Sequence, residues 1–260
     1  MRRPVLALVA FALVGCAKPV AEEPTLADTG MQGETGDPRN RARLRTELAA
    51  AYYGFGNFAV ALEELRLAVA ADPNYAPAYG MYGVVYMALK ENRLADQNFE
   101  RALRLAPQDP ELNHNYGWFL CQTGREEEGL RRFAQALRNP LHATPQRSHS
   151  AAGSCALRLG RVAEAEEHFV RALKLDPDDP QALLQLGQIR FRQGKDEEAQ
   201  QLVGRFNRLV EPTAESLWLA LRIARRLGER AGENALATQL RRRFPASPEY
   251  QRLQRGEYDD

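Results

Sequence analysis

The sequence lacks the features that mark several classes of protein. Its net charge is +1, and loss of Arg2 and Arg3 with a leader would leave −1, which argues against a nucleic-acid-binding protein. Four histidines and three cysteines show no spacing typical of a metal site. No nucleophile elbow, phosphate loop or His-Glu-x-x-His motif is present. We therefore expect no enzymatic activity, no cofactor or metal, and no small-molecule substrate.

The sequence does contain a repeat of 34 residues that begins at Ala42. Each unit has a small residue at position 8, Ala near 20, a large apolar residue at 24, and usually Ala at 27 and Pro at 32. The units are 42–75, 76–109, 110–143, 146–179 and 180–213, with a degenerate sixth at 214–245. This period is typical of tetratricopeptide repeats, whose helix–turn–helix units bury their apolar faces by stacking on one another. We predict an all-α solenoid of about six units with a concave binding groove; an ordinary helical bundle is the alternative.

The start of the chain predicts export and attachment to a membrane. A short basic segment precedes an apolar stretch at 5–14, which suits a signal peptide because a membrane-spanning helix needs roughly 20 residues. Its end, Leu13-Val14-Gly15-Cys16, resembles a bacterial lipoprotein box, which implies a leader at 1–15 and an acylated Cys16. We interpret 16–41 as the lipid anchor plus a flexible linker, and 246–260 as a polar tail without a role. A plain signal peptide with an unmodified cysteine is the alternative.

Cys121 and Cys155 lie on the first helices of adjacent units, where their side chains can face each other. Cysteines are bridged when their Cα atoms lie roughly 4.4–6.8 Å apart, and an exported protein meets an oxidising environment. We expect a disulfide between them; two buried free thiols are the alternative.

The middle of the array resembles one family in particular. The segments Asn-Tyr-Gly-Trp-Phe-Leu-Cys-Gln-Thr-Gly at 115–124, Ala-Leu-Arg-Asn-Pro-Leu at 136–141 and Ala-Gly-Ser-Cys at 152–155 are similar to the type IV pilus biogenesis and stability lipoproteins, the PilF/PilW family. Gly129 departs from the family, which has Ala there. The resemblance implies a pilotin on the periplasmic face of a Gram-negative outer membrane, which binds the pilus secretin and promotes its localisation and multimerisation. A scaffold lipoprotein for β-barrel assembly or cell-wall synthesis is the alternative.

The repeat positions also predict where a partner binds. Positions 5, 9, 12 and 13 of the first helices tend to point into the concave side, and several carry apolar residues that suit a helix or extended segment of a partner. The alternative is that these side chains are buried between neighbouring helices. Our candidate groove residues are Tyr53, Val84, Met87, His114, Trp118 and Phe191.

Overall fold

The computed structural model describes residues 36–258 and contains thirteen α-helices in that range, with no strand. The predicted leader, Cys16 and the linker up to residue 35 lie outside the described residues. Within 36–258, no helix is long and apolar enough to cross a membrane. The helices are α1 Pro38–Gly54, α2 Phe58–Ala71, α3 Ala76–Ala88, α4 Asn92–Leu105, α5 Pro110–Gln122, α6 Glu126–Leu137, α7 Pro145–Arg158, α8 Val162–Leu175, α9 Pro180–Arg192, α10 Asp196–Leu209, α11 Ala214–Arg226, α12 Arg230–Arg243 and α13 Pro248–Arg255.

The first twelve helices form six consecutive pairs, one for each repeat unit. Within a pair the first helix packs on the second, and each first helix also contacts the first helix of the next unit. The second helix of one unit contacts the first helix of the next unit as well. The core is therefore continuous along the array and is built from contacts within units and between neighbouring units, as a solenoid requires.

Close packing inside a unit depends on the small residue at position 8. A Cβ added to Gly83 would lie 2.7 Å from the Phe99 ring, and one added to Gly153 would lie 2.7 Å from the Phe169 ring. Both phenylalanines stand at position 24 and are completely buried. In both units, only glycine at position 8 lets the two helices approach closely enough to bury a phenylalanine ring between them.

The sixth unit reaches the same packing with the sizes exchanged. Leu221, at position 8, is fully buried, and Ala237, at position 24, packs beside it in the same cluster with Trp218 and Leu240. The large side chain thus comes from the first helix rather than the second. Cores tolerate such exchanges when the total volume is preserved, which explains why this unit looks degenerate in sequence.

The turn inside every unit has one left-handed residue at position 15. Glycine supplies the positive φ in five units, whereas Lys90 adopts φ 60° in the second unit. A residue with a Cβ pays a steric cost in this conformation, which glycine avoids.

Two predicted boundaries differ from the structure. α1 begins at Pro38, so the last residues assigned to the linker are helical; Arg39 lies over the Tyr75 ring, with 5.6 Å from its Cζ atom to the ring centroid. The supposed polar tail contains α13, which packs on α11 and α12. Ser247 caps this helix by accepting a 3.1 Å hydrogen bond from the Tyr250 amide.

After α13 the chain folds back onto the first helix of the sixth unit. The Tyr258 ring stacks on Trp218 with 5.7 Å between centroids, and the Arg225 guanidinium carbon lies 3.8 Å from the centroid of the same ring. Arg222 Nε donates a 2.7 Å hydrogen bond to the Tyr258 carbonyl oxygen. The segment therefore covers an apolar surface that the end of the array would otherwise expose, and the expectation that it has no structural role is wrong.

We predict that Tyr258→Ala lowers the free energy of unfolding by about 1–2 kcal/mol, because it removes an aromatic pair and a cation–π contact. Urea denaturation followed by circular dichroism measures the change, with Glu257→Ala, an exposed neighbour, as the control. Equal stability of the two variants would show that the segment does not contribute to the array.

Candidate binding groove

The first helices of units one to five line one depression of about 390 Å³ on the concave side. Its wall passes from α1 through α3, α5 and α7 to the start of α9. The lining residues are Tyr53, Val84, Met87, His114, Asn115, Trp118, Arg147, Ser150, Ala151, Asp179 and Gln181. We call this depression the groove.

One end of the groove is apolar. Tyr53 from unit one, Val84 and Met87 from unit two, and Trp118 from unit three line it, and each side chain is half-buried. These four were expected here from their repeat positions, and His114 also lines the groove although it is buried. The structure thus brings together five of the six candidate residues.

The other end of the groove is polar and was not predicted. Ser150 Oγ donates a 2.6 Å hydrogen bond to Asp179 Oδ2, while Asp179 Oδ1 accepts a 2.9 Å bond from the Ala182 amide at the start of α9. Asn115, Arg147 and Gln181 complete this end. Ser150 stands at position 5, which the repeat pattern predicts to face the concave side. Arg147 and Gln181 stand at the starts of their helices, at a position for which the pattern makes no such prediction.

A chain of hydrogen bonds connects the groove to the irregular segment 139–145. Ser148 Oγ lies 2.8 Å from His114 Nδ1 and 2.8 Å from His142 Nε2. The Thr144 amide donates to His142 Nδ1, 3.4 Å away, so we assign the ring proton of His142 to Nε2. His142 then donates to Ser148, and the Ser148 hydroxyl donates to His114.

Burial determines the charge state of this chain. It lowers the pKa of His114 to about 4, with further contributions from Arg147 and His142. Burial likewise lowers the pKa of His142. Both rings are therefore neutral near pH 7, and the groove presents His114 as an uncharged imidazole.

The segment 139–145 is itself held in place by hydrogen bonds. Asn139 Nδ2 donates to the Gln108 carbonyl at 3.0 Å, and Asn139 Oδ1 accepts from the Leu141 amide at 2.9 Å. The insertion is thus a built feature between units three and four, with His142 buried against the first helix of unit four.

Phe191 is separated from the other candidate residues. It is buried, and the guanidinium carbons of Arg226 and Arg222 lie 4.0 and 4.7 Å from its ring centroid. It borders a second depression of about 260 Å³ together with Trp218 and Glu249. Position 12 faces the concave side here too, but the arginines of the sixth unit cover it.

Trp118 rests on a small core that contains the cysteines. Cys121 and Cys155 are joined as a disulfide with their Cα atoms 5.8 Å apart, and both are buried. Their cluster includes Phe133 and Ala151, with Trp118 packed against it. The disulfide therefore links units three and four directly beneath the groove.

Gly129 provides the space for this disulfide. A Cβ at this position would lie 2.6 Å from Cys121 Sγ and 2.8 Å from the Gly117 carbonyl oxygen. In this structure an alanine at position 129 cannot be accommodated without movement of the backbone.

The described residues contain no group of three or more His, Cys, Asp or Glu side chains placed to hold a metal ion. His149 and His168 form a pair with 3.0 Å between their Nδ1 atoms. One ring donates to the other, and burial lowers both pKa values, that of His149 to about 4.

The model of the tetratricopeptide repeat family matches residues 76–209, which is more than half of the chain. The chain belongs to the tetratricopeptide repeat family. Our prediction of an all-α tetratricopeptide solenoid is thereby confirmed.

Two relatives are similar over most of their length. The type IV pilus assembly protein PilF of Pseudomonas aeruginosa is 29% identical over 255 residues, which cover 98% of each chain. A solved structure of P. aeruginosa PilF superposes with a TM-score of 0.81 and 28% identity, covering 84% of this chain and 99% of that one. The structure of PilW, a type IV pilus biogenesis factor, gives 0.73 and 30%, covering 82% and 98%. The resemblance to PilF and PilW is confirmed.

We predict that Gly129→Ala destabilises this tetratricopeptide array by about 1–3 kcal/mol, because the added methyl group overpacks the contact with Cys121 and Gly117. Gly232→Ala on α12 is the matched control, since its Cβ would meet nothing closer than 3.7 Å. That variant should gain up to about 1 kcal/mol from helix propensity. Urea denaturation measures both variants, and a gain at both sites would contradict the steric role of Gly129.

Proposed function

We propose that this protein acts in type IV pilus biogenesis as a pilotin, an outer-membrane lipoprotein that binds the secretin subunit and promotes its localisation and multimerisation. The observation that carries the proposal is the match to PilF over 98% of both chains. A match of that extent covers nearly the whole chain, which supports a shared role beyond the generic repeat.

The proposed anchor is an acylated Cys16 on the periplasmic face of the outer membrane. Several acyl chains on one residue hold a protein stably, whereas a single chain holds it only marginally. The linker then allows the array to reach a partner within a few nanometres of the lipid surface.

The groove is the proposed secretin site. Its apolar end offers two aromatic side chains and two further apolar ones, and its polar end offers hydrogen-bonding groups that are already fixed by the structure. Such a surface suits a helix or extended segment with an apolar anchor and a polar remainder. The proposed mechanism is binding without catalysis, cofactor or nucleic acid.

We predict that Trp118→Ala weakens secretin capture at least tenfold, since central tryptophans commonly contribute about 2 kcal/mol or more to an interface. The measurement is capture of the secretin subunit by the purified variant, together with secretin multimers in membrane fractions of cells that carry it. Val84→Asn, which leaves the disulfide core untouched, should weaken capture in the same direction.

Leu175→Ala is the control, because Leu175 is exposed on a second helix away from the groove. Thermal melting of each variant excludes unfolding as the cause. Normal capture by folded Trp118→Ala and Val84→Asn proteins would reject the groove as the secretin site.

A further inference from the structure

The first helix of the array is apolar on two opposite sides. Ala42, Thr46 and Ala49 face the core and are buried. The opposite side carries four apolar residues, three within α1 and one just after it. They are spaced by four, three and four residues, and this spacing places them in one line along a helix. This outer stripe consists of Leu44, Leu48, Ala51 and Phe55.

The outer stripe is strongly exposed. Leu44 is 44% exposed, Leu48 40% and Phe55 84%. The Phe55 amide still donates to the Ala51 carbonyl at 3.2 Å, so the helical geometry continues to the phenylalanine. Leu44 and Leu48 therefore lie in register with Phe55.

The two ends of the array differ in how their outer surfaces are covered. At the C-terminal end, α13 and Tyr258 cover the last pair of helices, and α13 contains no fully buried residue. Terminal units of a solenoid need such a polar outer surface to remain soluble. Within residues 36–258 the outer stripe leaves the first unit without such a surface, which indicates that something covers it.

Charge and chain position identify the occupant. α1 carries four arginines, at 39, 41, 43 and 45, against one glutamate, Glu47. Basic amphipathic helices with leucine and phenylalanine on one side are typical of lipid surfaces. Among the described helices, α1 is also the nearest in sequence to Cys16.

We propose that the outer stripe of α1 docks on an anionic lipid surface, so that the array lies against the membrane with α1 in the headgroup region. The inference rests on the proposed function only for the anchor at Cys16, which keeps α1 at a high local concentration near lipid. Much of the arginine charge is used within the protein, since Arg39 contacts Asp72 at 3.8 Å, and Arg43 contacts Glu47 and Arg45 contacts Glu64, both at 2.8 Å. The apolar side chains therefore provide most of the attraction.

A second copy of the chain fits this surface less well. Side chains of this size and exposure offer on the order of 300–400 Å², about half of the roughly 800 Å² that each partner buries in a specific dimer. An antiparallel pair would also place the arginine half of one α1 against the half after Glu47, which has no acidic residue. Lipid headgroups supply the missing negative charge.

The test uses the mature chain, residues 16–260, with Cys16→Ser so that no acyl chain is present. Flotation with vesicles of phosphatidylethanolamine and phosphatidylglycerol at 3:1 measures membrane binding. We expect Leu44→Ser/Leu48→Ser/Phe55→Ser to lower the partition coefficient at least about tenfold. The control is Val162→Ser/Leu175→Ser/Leu209→Ser, three exposed apolar residues on other helices that should leave binding unchanged.

Two further measurements separate this inference from the proposed function. Trp118→Ala should bind vesicles normally although it loses secretin capture. Failure of the starting chain to float, or equal flotation of the stripe variant, would overturn the inference. It would also be overturned if the stripe variant lost secretin capture or self-association while its vesicle binding stayed the same. Circular dichroism confirms that each variant is folded.

Discussion

The structure depends on the contact between the two helices of each unit: in units one to five a small residue at position 8 lies against a larger one at position 24, and in unit six the sizes are exchanged. Gly83 beneath Phe99 shows how tight this contact is, since an added Cβ would lie 2.7 Å from the ring. The contact fixes the angle within a pair, and stacking of pairs then places every first helix beside the next. The groove and the solenoid follow from this one constraint.

The disulfide and the segment 139–145 specialise the array where it carries the groove. The absence of a side chain at Gly129 leaves room for Cys121 Sγ beside it. Trp118 packs against the cluster that contains the disulfide. His142 links the irregular segment to Ser148 and, through it, to His114 in the groove wall. The middle units are thus stiffened at the place where a partner would bind, so less conformational entropy is lost on binding.

The repeat positions were sufficient to predict the fold and the apolar end of the groove, because the contacts involved recur in every unit. Tyr53, Val84 and Trp118 line the groove as their positions require. The remaining features depend on contacts that do not recur. Leu221 and Ala237 occupy recurring positions but exchange the sizes found there in the other units. The contact of Tyr258 with Trp218 comes from a residue after the last unit, and the arginines over Phe191 replace the residues found at their positions elsewhere. A pattern based on the period cannot predict them.

The most direct test of the proposed role is a photo-crosslinking amino acid placed at Val84 in living cells. Val84 lines the groove and is only half-buried, so a crosslinker there reaches a bound segment without entering the core. The account predicts a specific adduct with the secretin subunit. This adduct should be absent when the crosslinker replaces Leu175, which is exposed on the second helix of unit four. An adduct at Val84 with a β-barrel assembly or cell-wall protein, and none with the secretin, would contradict it.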